Sequence, residues 1–419
     1  MRSLGGRGRG RAGAWLGLCM TLLLCSLSGA SASGFDRVLI GFRGRPDAAA
    51  LSRLGARIQY VYDLVPAVAA EVPSGRVGAV KRVPGVLYVE PDYPVYATGG
   101  AALSPLTSVR PLFDPLTEVL PWGVARIHAP EVWLGLPGAV PPNMGAGVKV
   151  GIIDTGIDYT HPDLAANYVL GYDFVNKDWD PFDDNGHGTH VAGIIAAIDD
   201  GPNVLYGGNT VSVVGAAPQV SLYIAKSLDS DGVGTTSNIV AALNQAAKYG
   251  VDVVNMSIGS PFSSRTLRAA CDHAYAAGVL LVAAAGNEAL PWLDVPARYG
   301  SVLSVAAINE ANQRAAFSNY NSSLELCAPG VDVLSTMPGY PVTLTQAPYG
   351  YQMDYDALSG TSMACPQVTA AAALVVAAHP EWTNVQVRQR LDATAEDLGA
   401  PGRDRYYGYG LVDAAAAAS

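Results

Sequence analysis

Between about residues 118 and 415, short segments that are apolar at nearly every position alternate with stretches of helical character. Val148-Lys149-Val150-Gly151-Ile152-Ile153, Val220 to Ala225, Val253 to Ser257, Val279 to Ala285 and Val302 to Ala306 read as strands. Val191 to Ala197, Ser237 to Tyr249, Ser264 to Ala277 and Met363 to Ala378 read as helices. A strand with one wet face alternates apolar and polar residues, whereas a strand apolar throughout is covered on both faces. Such strands, joined by helices, imply an α/β fold with a mostly parallel sheet flanked by helices. In that architecture chemistry gathers beyond the carboxyl ends of the strands. Of 419 residues, 50% are hydrophobic and 15% charged, which suffices for a large core. A formal net charge of −10, with no long basic run beyond the first residues, argues against nucleic acid as a partner.

The segments before this alternation differ. Arg2, Arg7, Arg9 and Arg11 precede the apolar stretch Ala12 to Leu27 and the small-residue site Ala30-Ser31-Ala32. This is the pattern of an export signal over residues 1–32. The competing reading is a membrane anchor, but the stretch is short against the ~20 apolar residues of a span. A secreted product with no stable membrane insertion is therefore expected. In residues 33–97, strand-like Arg37 to Phe42, helix-like Asp47 to Leu54, strand-like Ile58 to Val61 and Ala67 to Val72, helix-like Ser74 to Arg82 and strand-like Val86 to Glu90 follow one another. That order suggests a small ferredoxin-like α+β domain. Gly99, Gly100, Pro105, Pro111 and Pro115 mark residues 98–117 as a linker or arm, leaving 118–419 as the main domain. Cys271, Cys327 and Cys365 remain after the signal. They are either small buried hydrophobes or include a Cys271–Cys327 bridge.

Four polar residues stand where chemistry is expected. Asp154 ends the first apolar strand, where it is a catalytic acid or a turn residue. His187 lies among small residues in Asn185-Gly186-His187-Gly188-Thr189-His190. His190, three residues on, leaves a zinc pair open as an alternative, although the Glu of an H-E-x-x-H motif is missing. Ser362 precedes a long Ala-rich helix, whose start Pro366 is expected to pin nearby. It is either a capping serine or a nucleophile beside free backbone N–H groups. Asn287 follows the strand Val279 to Ala285, as an amide donor or a turn residue.

Taken together, Ile153-Asp154-Thr155-Gly156, Asn185-Gly186-His187-Gly188-Thr189-His190-Val191-Ala192-Gly193 and Gly360-Thr361-Ser362-Met363-Ala364 resemble the signatures of the subtilisin-like serine proteases, in the order Asp, His, Ser of that family. The resemblance implies a subtilisin-like fold preceded by an inhibitory propeptide. It also implies a secreted, self-processing serine endopeptidase of broad specificity acting on polypeptides as a monomer. Asp154, His187 and Ser362 would form the triad and Asn287 would donate to the oxyanion. Gly232, Val233, Gly234 and Ser257, Ile258, Gly259 would form the two walls that pair with substrate. Glu118, Asp163, Ile198 and Asp200 would hold a structural Ca²⁺. The propeptide would serve as folding template and inhibitor, its tail near Tyr93 to Ala97 occupying the site. No acidic cluster is evident in the pocket segments, so strict dibasic cleavage is not expected, although Glu288 at the rim would tolerate some lysine. Gln367 departs from the family, which usually carries His after the Pro.

Overall fold

The computed structural model describes residues 34–98, 118–135, 141–199, 204–206 and 209–419. The export-signal pattern, nearly all of the linker and Asp200 lie outside the described residues. Two compact units are distinguished: one is built from residues up to Val61 together with Ala67–Pro91, the other from Tyr62–Pro66 and Asp92–Ser419.

The first unit is a four-stranded antiparallel sheet of β1 (Phe35–Phe42), β2 (Arg57–Val61), β3 (Ala67–Pro73) and β4 (Val86–Pro91) in the order β2-β3-β1-β4. Helices α1 (Ala48–Arg53) and α2 (Val77–Val80) complete it. Asp47 caps α1 by accepting from the Ala50 N–H. Val38, Ile40 and Phe42 share one face of β1 by the two-residue period, and pack with Leu51, Val68, Val72 and Val80 into this unit's core. The β-α-β-β-α-β order read from sequence is present. The second helix, however, is short, because Ser74–Arg76 forms a 3-10 turn ahead of it.

The second unit begins with a short strand, β5 (Pro94–Ala97), and then builds a seven-stranded sheet. Its strands are β6 (Lys149–Asp154), β7 (Tyr168–Asp173), β10 (Ser221–Lys226), β12 (Val253–Met256), β14 (Leu280–Ala284), β15 (Leu303–Ile308) and β16 (Leu326–Pro329). They run in the order β16-β15-β14-β12-β6-β10-β7, and each recorded pairing is parallel. The hairpins β8 (Val204–Tyr206) with β9 (Asn209–Val211) and β17 (Val333–Thr336) with β18 (Tyr355–Leu358) stand apart. The main helices are α3 (His187–Ala196), α4 (Thr236–Tyr249), α5 (Arg265–Ala276), α6 (Thr361–Ala378) and α7 (Asn384–Thr394). Every residue of β12, β14 and β15 is buried, as the unbroken apolar runs require. Helix α6 is long and apolar enough to cross a membrane by composition, yet it is 83% buried among the other elements as the central core helix.

Helix α6 starts at Thr361, close to Ser362 as expected, but one detail is corrected. Pro366 does not lie in the first turn of α6 but further inside it. A proline there cannot donate to the carbonyl four residues back. That carbonyl belongs to Ser362 and accepts instead from Ser257 Oγ at 2.8 Å. Of the two cysteine readings, that of small buried hydrophobes holds: Cys271, Cys327 and Cys365 are all free and buried.

Candidate active site

Asp154, the last residue of β6, is fully buried at the carboxyl end of the sheet. Its Oδ1 accepts from the Thr155 N–H at 2.7 Å and meets His187 Nδ1 at 2.6 Å. His187 opens α3 from a turn in which Gly186 has φ +110°. Asp183 organises that turn. Its Oδ1 accepts from Thr155 Oγ1 and from the backbone of Asn185 and Gly186, and its Oδ2 from the backbone and hydroxyl of Thr189. The carboxylate thus ties the loop after β6 to the start of α3 and fixes the imidazole against Asp154. The small residues beside His187 serve the same end. A Cβ on Gly188 would stand 2.2 Å from the Gly156 carbonyl oxygen, so only glycine lets the two loops touch.

Ser362 is the second residue of α6, and its Oγ donates to the Ser257 carbonyl at 3.0 Å and lies 2.7 Å from Thr98 Oγ1. Nε2 of His187 is buried with no hydrogen-bond partner among the described residues. The hydroxyl and the imidazole nitrogen are therefore not hydrogen-bonded to each other in this arrangement. His190 stays apart from this group. Its Nε2 meets the Asp356 carbonyl at 3.1 Å, and burial pushes its ring down to about 3, so it is neutral.

Strand β5 fills the cleft. It pairs antiparallel with β11 (Val233–Thr235) on one side and with β13 (Ile258–Gly259) on the other. Gly232 accepts from the Ala97 N–H through its carbonyl at 2.9 Å, and Ser257 from the Thr98 N–H at 3.2 Å. All six expected wall residues thus bracket this segment: Val233, Gly234, Ile258 and Gly259 pair with β5, and the Gly232 and Ser257 carbonyls accept from Ala97 and Thr98. Tyr93 stacks on Phe262 with ring centroids 5.2 Å apart, and Asp92 accepts from Ser237 N and Oγ.

Thr98 follows β5 directly, and its carbonyl oxygen accepts from the Ser362 N–H at 3.3 Å and from Asn287 Nδ2. The Asn287 amide is held in place because its Oδ1 accepts from Thr361 N and Oγ1, both at 2.9 Å. A carbonyl clasped by two donors, with a serine hydroxyl against the same residue, is the geometry of an acyl group awaiting attack.

Beside Thr98 lies a residue that the sequence reading missed. The point where a Cβ on Gly259 would stand is 2.7 Å from Asp294 Oδ2 and 2.8 Å from Thr98 Cγ2. The corresponding point on Gly286 is 2.9 Å from both Asp294 Oδ2 and Glu288 Oε2. Two carboxylates therefore come together next to Thr98, the residue after β5. This corrects the expectation of no acidic cluster there. Asp294 is six residues beyond Glu288, and only the return of the chain, with Asp294 N–H donating to the Ala285 carbonyl at 3.0 Å, brings it back. Its carboxyl is pushed up to about 7, first by burial and then by Glu288, with Arg298 opposing.

The expected calcium ligands are partly assembled. Asp163 is buried. Its Oδ2 accepts from Ser212 Oγ, Val213 N and Tyr355 Oη, whereas its Oδ1 is buried without a hydrogen bond. Burial raises its carboxyl above the usual range. The Asp163 carbonyl accepts from the Ile198 N–H, and the Val119–Val213 bridge brings the chain next to Glu118 alongside. Among the described residues no group of three or more His, Cys, Asp or Glu is suited to a metal. A site here would thus depend on carbonyl oxygens as well. Asp163 and the Ile198 carbonyl are donors of the kind a hard cation takes.

Comparison with known proteins follows the same lines. The profile of the subtilase family matches residues 145–410. Subtilisin NAT of Bacillus subtilis subsp. natto is 37% identical over 390 residues, 92% of this chain and 89% of its own. M-protease of Shouchella clausii (strain KSM-K16) is 36% identical over 409 residues, 94% of each chain. Subtilisin of Bacillus pumilus is 42% identical over 306 residues, 72% of this chain and 99% of its own.

Proposed function

Given that the chain belongs to the subtilase family and is a serine-type endopeptidase, we propose that Asp154, His187 and Ser362 are its catalytic residues and that Asn287 donates to the oxyanion. His187 Nε2 takes the Ser362 proton as Oγ attacks a peptide carbonyl, and returns it to the leaving amine. Asp154 Oδ1 keeps the proton of the neutral ring on Nδ1 and stabilises the imidazolium that forms. The oxyanion rests against Asn287 Nδ2 and the Ser362 N–H. For the first step the Ser362 side chain must leave the Ser257 carbonyl and Thr98 Oγ1 and turn to His187 Nε2.

Substrate enters as an added strand between β11 and β13, where β5 lies. Recognition through main-chain hydrogen bonds admits many sequences, which suits broad specificity. Polypeptides are the partners. The precursor is exported and processes itself, with residues 33–98 as template and inhibitor. The Thr98 carbonyl between two donors supports the peptide bond after Thr98 as the self-cleavage point, so the mature chain would begin at Gly99. When bound at Asp163, the Ile198 carbonyl and Glu118, Ca²⁺ would supply structural charge neutralisation; the buried, unbonded Asp163 Oδ1 supports that placement.

The observation that carries the proposal is the Thr98 carbonyl held jointly by Asn287 and Ser362. Mass spectrometry of the secreted protein tests it. Wild type should yield a chain starting at Gly99, and Ser362→Ala should remain full-length. Unimpaired processing in Ser362→Ala would refute the assignment.

A further inference from the structure

The pocket under Thr98 holds a carboxylate that the resident residue leaves without a partner. Asp294 is 6% exposed. No hydrogen bond among the described residues contributes to its charge state. Burial and Glu288 act against ionisation, and the nearby Arg298 alone favours it. The Arg298 guanidinium is itself engaged, its Nε donating to the Leu293 carbonyl at 2.6 Å. Glu288 is better served, since Asn319 Nδ2 donates to its Oε2 at 2.7 Å. A buried carboxylate without a donor is costly unless something brings it a cation or a proton. Here the oxygen Oδ2 stands beside the Thr98 methyl, at the wall made by Gly259.

We propose that Asp294, seconded by Glu288, makes the pocket for the residue before the cleaved bond select a lysine or arginine side chain. The inference rests on the endopeptidase reading and on Thr98 marking that position. The Thr98 methyl and Asp294 Oδ2 both adjoin Gly259, and Thr98 carries no charge. A longer side chain at this position, ending in an ammonium or guanidinium, meets Asp294 Oδ2, with Glu288 Oε2 beyond Gly286. The lack of a Cβ at Gly259 and Gly286 lets Asp294, Glu288 and Asn319 come in close. A side chain at either would crowd the Asp294 carboxylate, and at Gly286 φ +107° adds strain. The self-cleavage point escapes the preference because intramolecular attack is driven by effective concentration rather than by pocket affinity.

With residues 94–98 seated over it, burial and then Glu288 push the Asp294 carboxyl up to about 7, which adds a pH signature for a filled pocket. Below about pH 7 the carboxyl holds a proton and offers little to a cation; above it the charge is available. The ratio of kcat/KM for a basic over a leucine substrate, in which the catalytic histidine cancels, should therefore climb through that region. The groups facing Asp294 are Glu288, which raises its affinity for a proton, and Arg298, which lowers it.

The experiment uses purified mature enzyme and a peptide series differing only at the residue before the cleaved bond, with arginine, lysine, leucine and glutamate. Wild type is expected to favour arginine or lysine over leucine by roughly ten-fold or more, since a desolvated charge pair of about 1.4 kcal/mol suffices for ten-fold. Asp294→Asn should remove most of that preference and its pH rise, with a thermal melt to show that the variant folds. Asp294→Ser should behave alike. Leucine cleaved as well as arginine by wild type, or a preference untouched in both variants, would overturn this inference alone. Cleavage of no peptide at all would overturn the peptidase reading beneath it.

Discussion

Replacing Asn287 by leucine removes one of two distinguishable donors to the Thr98 carbonyl, and with it the Oδ1 acceptor for Thr361 N and Oγ1. One is the Ser362 N–H at 3.3 Å, at the long end for an N–H···O bond. The other is Asn287 Nδ2, whose amide is oriented by two bonds from Thr361. Leucine removes the second donor and leaves the longer one. A hydrogen bond to a charged group contributes roughly 1.5–3 kcal/mol. At about 1.36 kcal/mol per tenfold, its loss slows the step by about 10- to 150-fold. The carbonyl is neutral in the ground state and charged only as the tetrahedral species forms, so the loss should fall on kcat and leave KM within about three-fold. Steady-state hydrolysis of a peptide and the first-order rate of precursor processing should report the same factor, with a thermal melt to confirm folding. An unchanged kcat, or a loss borne entirely by KM, would refute the reasoning.

Three further outcomes follow from other contacts. Thr98→Val deletes the hydroxyl that lies 2.7 Å from Ser362 Oγ, so the nucleophile is freer to turn to His187 and precursor processing should quicken by a few-fold; slower processing would count against that contact as a brake. Asp392 is pushed up to about 8, first by burial and then by Glu325, with Arg388 and Arg403 opposing. The folded state therefore keeps a proton that the unfolded chain releases near pH 4, and stability is lost as pH rises from about 4 through 8. Asp392→Asn should raise the Tm at pH 8 and narrow toward no effect near pH 4, and a flat difference would contradict this. Chelation with EGTA should lower the Tm of the wild type and have less effect on Asp163→Asn; an unchanged wild-type Tm would remove calcium from Asp163.

The apolar runs from Val148 to Ala306 were enough to determine a parallel sheet with two covered faces, because burial on both sides leaves no polar alternation. The strings around Asp154, His187 and Ser362 were enough to point to the subtilase family, to which the chain belongs. Weakly apolar strands were not legible: β7 (Tyr168–Asp173) lies at the sheet edge and is half polar. Asp183 and Asp294 were not legible either, since nothing in a linear string says that one carboxylate ties two loops or that another returns beneath Gly259 and Gly286. Tertiary contact alone decided that the Thr98 carbonyl lies between Asn287 and Ser362, residues 189 and 264 positions away. Local sequence encodes burial periodicity and turn preference over a few residues. Hydrogen-bond partners and the field at a buried charge arise only when distant segments are packed together.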